Sequence, residues 1–320
     1  MAGRWGGETQ IREPDMRLNA AILCLTLLLG AEATARAQAY LDPPNSLSVG
    51  LAYTYAPSGK IVAETGGLEV PGTDMFVHIF TPSAQYMTPI DGLAVEAELP
   101  MMAVKIGGDA FDHFPVNGPY DDGNMHFTPL DVRAGLRYQI TPIAEYLGLS
   151  FLVAGSIPTR DYPTNGFTAP GHHLKALYGG AAIARTFDPI LPNLYFQADY
   201  TFALRERVKV DQQTEDLSRN YSEANVLLGY FLPADFSIAA GANSRFSHGG
   251  ADFATIIFAP ESIQVNHDRL LDEDFILVGG NVGYDVSDAL ELGLAARFFV
   301  WGENTRNQNL FSLYASYKLF

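Results

Sequence analysis

Leu130-Asp131-Val132-Arg133-Ala134-Gly135-Leu136-Arg137-Tyr138 is the stretch that decides the fold. Val132, Ala134, Leu136 and Tyr138 share one parity, and Asp131, Arg133, Gly135 and Arg137 share the other. A period of two belongs to an extended strand, whose successive side chains point to opposite faces. The same beat recurs where Leu93, Val95, Ala97 and Leu99 oppose Ala94, Glu96 and Glu98. It recurs again where Leu292, Leu294 and Ala296 oppose Glu291 and Arg297. In a soluble sandwich the charged face would meet solvent. In a membrane barrel it must be the lumen, because a charge facing lipid at mid-depth costs about 2–4 kcal/mol.

Outward from this stretch, twelve candidate strands follow: Ser46–Tyr55, Met75–Tyr86, Gly92–Val104, Phe127–Tyr138, Tyr146–Ile157, Lys175–Phe187, Leu194–Lys209, Ser218–Phe231, Phe236–Ser247, Phe275–Asp285, Leu290–Val300 and Asn309–Phe320. Each is near the roughly 9–11 residues that a tilted strand needs to cross a bilayer. The gaps alternate in length. Thr88–Asp91, Gln139–Glu145, Asp188–Asn193, Leu232–Asp235 and Val286–Ala289 are short and turn-like, rich in Pro and Asp. Those near residues 56–74, 105–126, 158–174, 210–217 and 248–274 are longer, and only the last, around Gly302–Gln308, breaks the alternation. Tyr86, Tyr138, Tyr146, Phe187, Tyr195, Tyr230, Phe236 and Tyr284 all fall at the short-turn ends, where an aromatic girdle meets the headgroups. The expected fold is all-β: a transmembrane antiparallel β-barrel of 12 strands, with short periplasmic turns, long extracellular loops and both termini inside.

The first 39 residues differ from the rest. A basic start at Met16-Arg17, an apolar run from Ala20 to Gly30 and the small-residue motif Ala37-Gln38-Ala39 read as a secretory signal peptide cut before Tyr40. Residues 1–15 then form an upstream extension, and residues 40–320 form the barrel. Cys24, the single cysteine, lies in the apolar run, so the barrel carries no thiol, which suits export through an oxidising periplasm. The chain is 48% hydrophobic and 12% aromatic, yet no stretch reaches the length of a membrane-spanning helix. Its net charge of −16 argues against nucleic acid as a partner.

Several segments resemble the transporter-like outer-membrane barrels named for the MetA pathway of phenol degradation. They are Gly92–Pro100, Leu130–Tyr138, Gly148–Thr159, Leu290–Phe298 and the closing Tyr314–Phe320. The resemblance implies a bacterial outer-membrane location and passive passage of small molecules, often aromatic or hydrophobic. A general narrow ion-conducting porin and a filled structural or enzymatic barrel stay open as alternatives.

The charges of lumen parity are Glu96, Glu98, Asp131, Arg133, Arg137, Arg185, Asp199, Arg205, Glu223, Arg245, Asp285, Glu291 and Arg297. Glu96 and Glu98 face Arg133 and Arg137 on the neighbouring strand. With Arg297 they are the candidates for a lumen constriction, either a selectivity filter or a salt-bridge brace. Phe253, Ile256, Ile257 and Phe258, in an unusually apolar loop, are the candidate gate: an inward plug, an apolar entrance or an extension of the hairpin. No catalytic constellation stands out. His78 has Phe76 and Phe80 as face neighbours and reads as a lumen or interface residue, with no serine partner beside it. His172-His173, Asp121-Asp122-Gly123-Asn124 and the acidic group Asp268, Asp272, Glu273 and Asp274 lack the ligand spacing of a metal site. No cofactor is expected. The expected partners are outer-membrane lipids, the barrel assembly machinery and small-molecule solutes, and a monomer is expected because no lipid-face stretch is conspicuously polar.

Overall fold

The computed structural model describes residues 41–62, 74–107, 118–144, 147–166, 168–208, 217–252, 255–256 and 266–320. Fifteen strand segments form one antiparallel sheet. They are β1 Leu47–Val62, β2 Asp74–Met87, β3 Leu93–Glu98, β4 Met101–Gly107, β5 His126–Pro129, β6 Asp131–Ala144, β7 Leu147–Pro158 and β8 Ala176–Thr186. The rest are β9 Leu194–Arg205, β10 Asn220–Phe231, β11 Phe236–His248, β12 Asp274–Ser287, β13 Leu290–Glu303, β14 Thr305–Gln308 and β15 Leu310–Lys318, with a helical turn, α1, at His267–Leu270. Three pairs of segments, β3 with β4, β5 with β6 and β14 with β15, each make one stave, which gives twelve. β1 pairs with β15 on one side and β2 on the other, so the ring closes. Among the described residues each of the twelve staves is paired on both sides along the length that crosses lipid, the condition for a sheet to span it.

Prolines cause two of the three breaks. Pro100 and Pro129 offer no backbone N–H, and the ladder steps around them: Leu99 N–H donates to the Pro82 carbonyl at 3.1 Å and Leu130 N–H to the Pro100 carbonyl at 2.8 Å. The strand boundaries depart from expectation at one corner. β1 runs on to Val62 and pairs with β14, Ser58 opposite Gln308, so residues 56–62 and 305–308 are sheet rather than loop. The pairing itself supplies the reason: β1 and β14 satisfy one another's backbone groups there, and a loop would leave them to water.

The alternation sorts as expected. Leu136, Val153, Leu177, Leu228 and Leu313 point outward and are at least half exposed to solvent, the surface that lipid covers. Of the thirteen charges expected inside, eleven line a central cavity of about 1540 Å³. Arg185 is a correction: it is exposed on the outward parity of Leu177 and Ile183, and its long side chain reaches the headgroup water at the inner rim, 5.5 Å from the Phe187 ring. The inner-rim girdle holds for Tyr86, Tyr138, Tyr230, Phe236 and Tyr284, all exposed, with Phe236 and Tyr284 stacked at 4.5 Å. Phe187 is half-buried, and Tyr146 lies outside the described residues.

Tyr195 is a correction: it is buried inside the barrel. Its parity is that of Gln197 and Asp199, and its ring lies flat over Gly229, where an added Cβ would sit 2.2 Å from the ring. Tyr314 covers Gly293 in the same way, at 2.0 Å. Only glycine permits that approach, so two inward tyrosines are stowed against the wall and the bore stays clear.

Candidate functional site

The site is the lumen, and the strand register builds it. Glu98 stands opposite Arg133 across the β3–β6 ladder, and Glu96 lies diagonal to Arg137. Both pairs meet. Arg137 donates through Nε and Nη2 to the two Glu96 carboxylate oxygens at 3.0 and 3.3 Å. Arg133 and Glu98 form a looser pair at 3.5 Å. The first is two-pronged and well buried on the Arg side, which fits a brace; the second keeps more solvent, which leaves its charges accessible to a passing ion.

Arg297 belongs elsewhere. It is 2% exposed and does not line the cavity. Its guanidinium donates to the Asn243 side chain and, at 3.1 Å, to the Gly280 carbonyl. Asn243 donates to Asn225, and Asn225 to Asp199 at 2.7 Å. This chain ties β13, β11, β10 and β9 together from within. A buried guanidinium has to be satisfied by acceptors, so Arg297 is a wall brace and does not stand with the two Glu–Arg pairs.

The outer half of the lumen has two unlike walls. On one, Met75, Val77 and Ile79 of β2, Met102 and Val104 of β4 and Leu310 of β15 face inward with no charge among them. On the other, guanidinium groups and rings interleave. Arg133 lies 4.3 Å over the Tyr178 ring, Arg205 4.4 Å and Arg245 4.7 Å from the Tyr221 ring, and Arg245 5.3 Å from Phe275. Arg245 also pairs with Glu223 at 2.6 Å and Glu273 at 3.4 Å. Counting staves around the ring, β2 is second and β10 is eighth of twelve, so these walls face each other.

The extracellular segment 159–175 folds over this space. Tyr162 donates its hydroxyl to Asp131 and accepts from the His173 backbone N–H at 3.0 Å. Burial and that carboxylate raise the Tyr162 hydroxyl far above its ordinary pKa. Ala169, Pro170, Gly171 and His172 then line the cavity. Burial, followed by the guanidinium groups of Arg205, Arg219, Arg245 and Arg269, holds the His172 imidazole well below its ordinary value, so it is neutral at pH 7. Among the described residues no group of three or more His, Cys, Asp or Glu side chains could hold a metal ion.

Of the gate candidates, Ile256 is 1% exposed and packs with Leu174, Val208, Leu270 and Leu271. It therefore offers no open apolar entrance; the side chain escapes water by joining a small core formed between extracellular segments. Phe253, Ile257 and Phe258 lie outside the described residues. The acidic runs serve loop architecture. Asp121 is buried and accepts from the Thr168 N–H at 2.9 Å and hydroxyl at 2.6 Å. Asp122 accepts from Asn124 and pairs with His126 at 2.6 Å. Glu273 takes the Thr305 hydroxyl at 2.7 Å and Asp274 the Ser247 N–H at 2.7 Å.

His78 faces lipid, not the lumen. It meets the Tyr53 hydroxyl at 2.8 Å and stacks on the Tyr53 and Tyr55 rings at 6.0 and 5.1 Å. Sequence reasoning missed one serine–histidine contact on the same outer face: Ser222 Oγ lies 2.5 Å from His248 Nε2 and 2.8 Å from the Tyr200 hydroxyl. Among the described residues no carboxylate hydrogen-bonds His248, so the pair lacks the orienting third group that nucleophilic catalysis uses.

No family model matches the chain, and no curated protein matches it. Among solved structures it is similar to an outer membrane channel from Pseudomonas putida, with a TM-score of 0.68 at 9% identity over 90% of this chain and 100% of that one. It also matches the translocator domain of the autotransporter NalP from Neisseria meningitidis, with a TM-score of 0.46 at 11% identity over 94% and 96% of the two chains. The CymD monoaromatic hydrocarbon channel gives 0.42 at 14% identity over 91% and 95%. The first shows the fold: this chain is a closed β-barrel of the outer-membrane type. Its apolar exterior and girdled rim place it in the bacterial outer membrane.

Proposed function

We propose that the protein is a passive outer-membrane channel for small molecules, with a preference for solutes that have an aromatic or hydrophobic body. The observation that carries this reading is the apolar inner wall that Met75, Ile79, Met102 and Leu310 present, backed by the buried Val77 and Val104, in a cavity of about 1540 Å³. A wall of that kind lowers the free energy of an apolar solute at roughly 25 cal/mol per Å² of surface it covers, while the opposite wall keeps the bore wet. Support comes from the barrel frame shared with the Pseudomonas putida channel and from the motifs that resemble the MetA-pathway barrels. In this reading Glu96–Arg137 braces the bore, Glu98–Arg133 edges its narrow part, and no cofactor takes part.

The test is uptake of a radiolabelled monoaromatic compound by cells that carry the protein in a lipopolysaccharide-bearing outer membrane, against cells that carry an Ile79→Asp, Met102→Asp variant. Faster uptake in the first and loss in the second is the expected result. Equal uptake in both contradicts the reading. A second reading, a narrow ion-conducting porin, has its own support in the acids of the inner mouth, Asp235, Asp285 and Asp288, which favour cations.

A further inference from the structure

One lumen guanidinium stands out by its partners. Arg133, Arg137 and Arg245 each answer a glutamate. Arg205, at the outer end of β9, does not: among the described residues its side chain enters no ion pair, and its only ring contact is the Tyr221 face at 4.4 Å. It lines the cavity and is half-buried. Asp131 of β6, which also lines the cavity, is occupied by the Tyr162 hydroxyl. Stacking on one face fixes a guanidinium plane and leaves its N–H edge free, the edge that matches a planar carboxylate in two parallel bonds.

The surroundings limit what such an edge can hold. Glu98, Asp131, Glu223 and Glu273 also line the outer half, so a dianion would meet repulsion that a single guanidinium does not offset. A monoanion is the charge that fits. Acetate would satisfy Arg205 and leave the opposite wall uncovered. A carboxylate attached to a ring would place its charge at Arg205, on the seventh stave, and its apolar body toward Ile79 and Met102, on the second and third.

We propose that the outer half of the lumen is a binding site for small aromatic monocarboxylates, with Arg205 as the carboxylate anchor and the Ile79–Met102 wall as the seat of the ring. The proposal rests on the channel reading above and names its solute class. It also assigns the two halves of the lumen different tasks. The outer half captures the anion, and the acidic inner mouth opposes its exit, so passage speeds up when salt shortens the range of that repulsion.

The experiment is block of single-channel ion current by benzoate and by benzyl alcohol, the same ring without the charge, on the purified barrel. Benzoate is expected to half-block at a concentration about ten-fold lower than benzyl alcohol, the size of one charge-assisted hydrogen-bond contact. Arg205→Gln collapses that ratio toward one, and Arg205→Lys restores part of it. Met102→Gln weakens block by both compounds, which keeps the test alive if the Arg205 variants do not fold. If benzyl alcohol blocks and benzoate is no better, or if Arg205→Gln keeps the ratio, the carboxylate site is refuted and the channel reading survives. If neither compound blocks a conducting barrel, the apolar wall is no binding surface and both fail.

Discussion

The wall built from β2, β4 and β15 and the wall built from β9, β10 and β11 belong to one continuous sheet, yet they carry opposite interiors. On β2 the inward Met75, Val77 and Ile79 and the outward Phe76, His78 and Phe80 are apolar or aromatic alike. On β10 the inward Tyr221, Glu223 and Asn225 contrast with the outward Val226 and Leu228. The difference teaches that in a barrel this narrow the lumen is not bulk water. Where inward side chains find no charged partner, apolar ones cover each other; where they do, the charges brace the wall. Solute preference then follows from which wall a molecule touches.

Substitutions can break this comparison. The largest effect is expected at the brace. Arg297→Ala removes the guanidinium that ends the Asn243–Asn225–Asp199 chain and should cost about 3–5 kcal/mol in urea unfolding of the folded barrel. Val104→Ala, in the apolar wall, should cost only about 1–2 kcal/mol, the burial of two methyl-sized groups. Equal losses would erase the distinction between a polar wall held by specific bonds and an apolar wall held by contact. Gly293→Val comes next. A side chain there collides with the Tyr314 ring, and the overpacking should cost about 1–3 kcal/mol while pushing the ring into the bore and lowering conductance. Unchanged conductance would show that the stowed tyrosine does not set the bore.

Arg133→Glu sharpens the comparison through function. With Glu98 beside it, the charged wall becomes more acidic, and the reversal potential in a salt gradient should move toward cation preference. Unchanged selectivity with reduced stability would make this pair a second brace. The smallest effect lies outside the membrane. Hydrogen bonds from Asn124 and then His126 hold the Asp122 carboxyl well below its ordinary pKa. Its contribution to loop order is therefore complete above the unfolded value of about 3.9 and is lost as pH falls through the lower folded value. The protection factor of the Asn124 amide, its exchange rate relative to the intrinsic rate at the same pH, should hold down to about pH 4 and fall below it. A protection factor already lost near neutral pH would contradict that assignment.

Much of this was legible in the residues, and the exceptions have physical causes. Twelve staves, the lumen parity of the charged residues other than Arg185 and the Glu–Arg pairing across β3 and β6 follow from a period of two and from neighbouring strands. Arg297 was misplaced because its side-chain partner Asn243 lies two strands away in the ring, beyond any local pattern. Tyr195 was assigned to the girdle by position along the strand, although its parity with Asp199 already put it inside. The lipid-facing His78 was ambiguous because both faces of β2 are apolar there, so alternation gives no sign. The contacts of Ile256 join segments far apart in sequence, and no periodicity within the loop announces them.

The measurement that tests the central claim most directly is single-channel conductance of the purified barrel in a planar bilayer. A lumen with two unlike walls and its tyrosines stowed predicts steady open conductance, reduced when a monoaromatic solute is added. Electrical silence from a barrel shown to be folded by its heat-shifted gel mobility would mean a filled interior, and the channel account would be wrong.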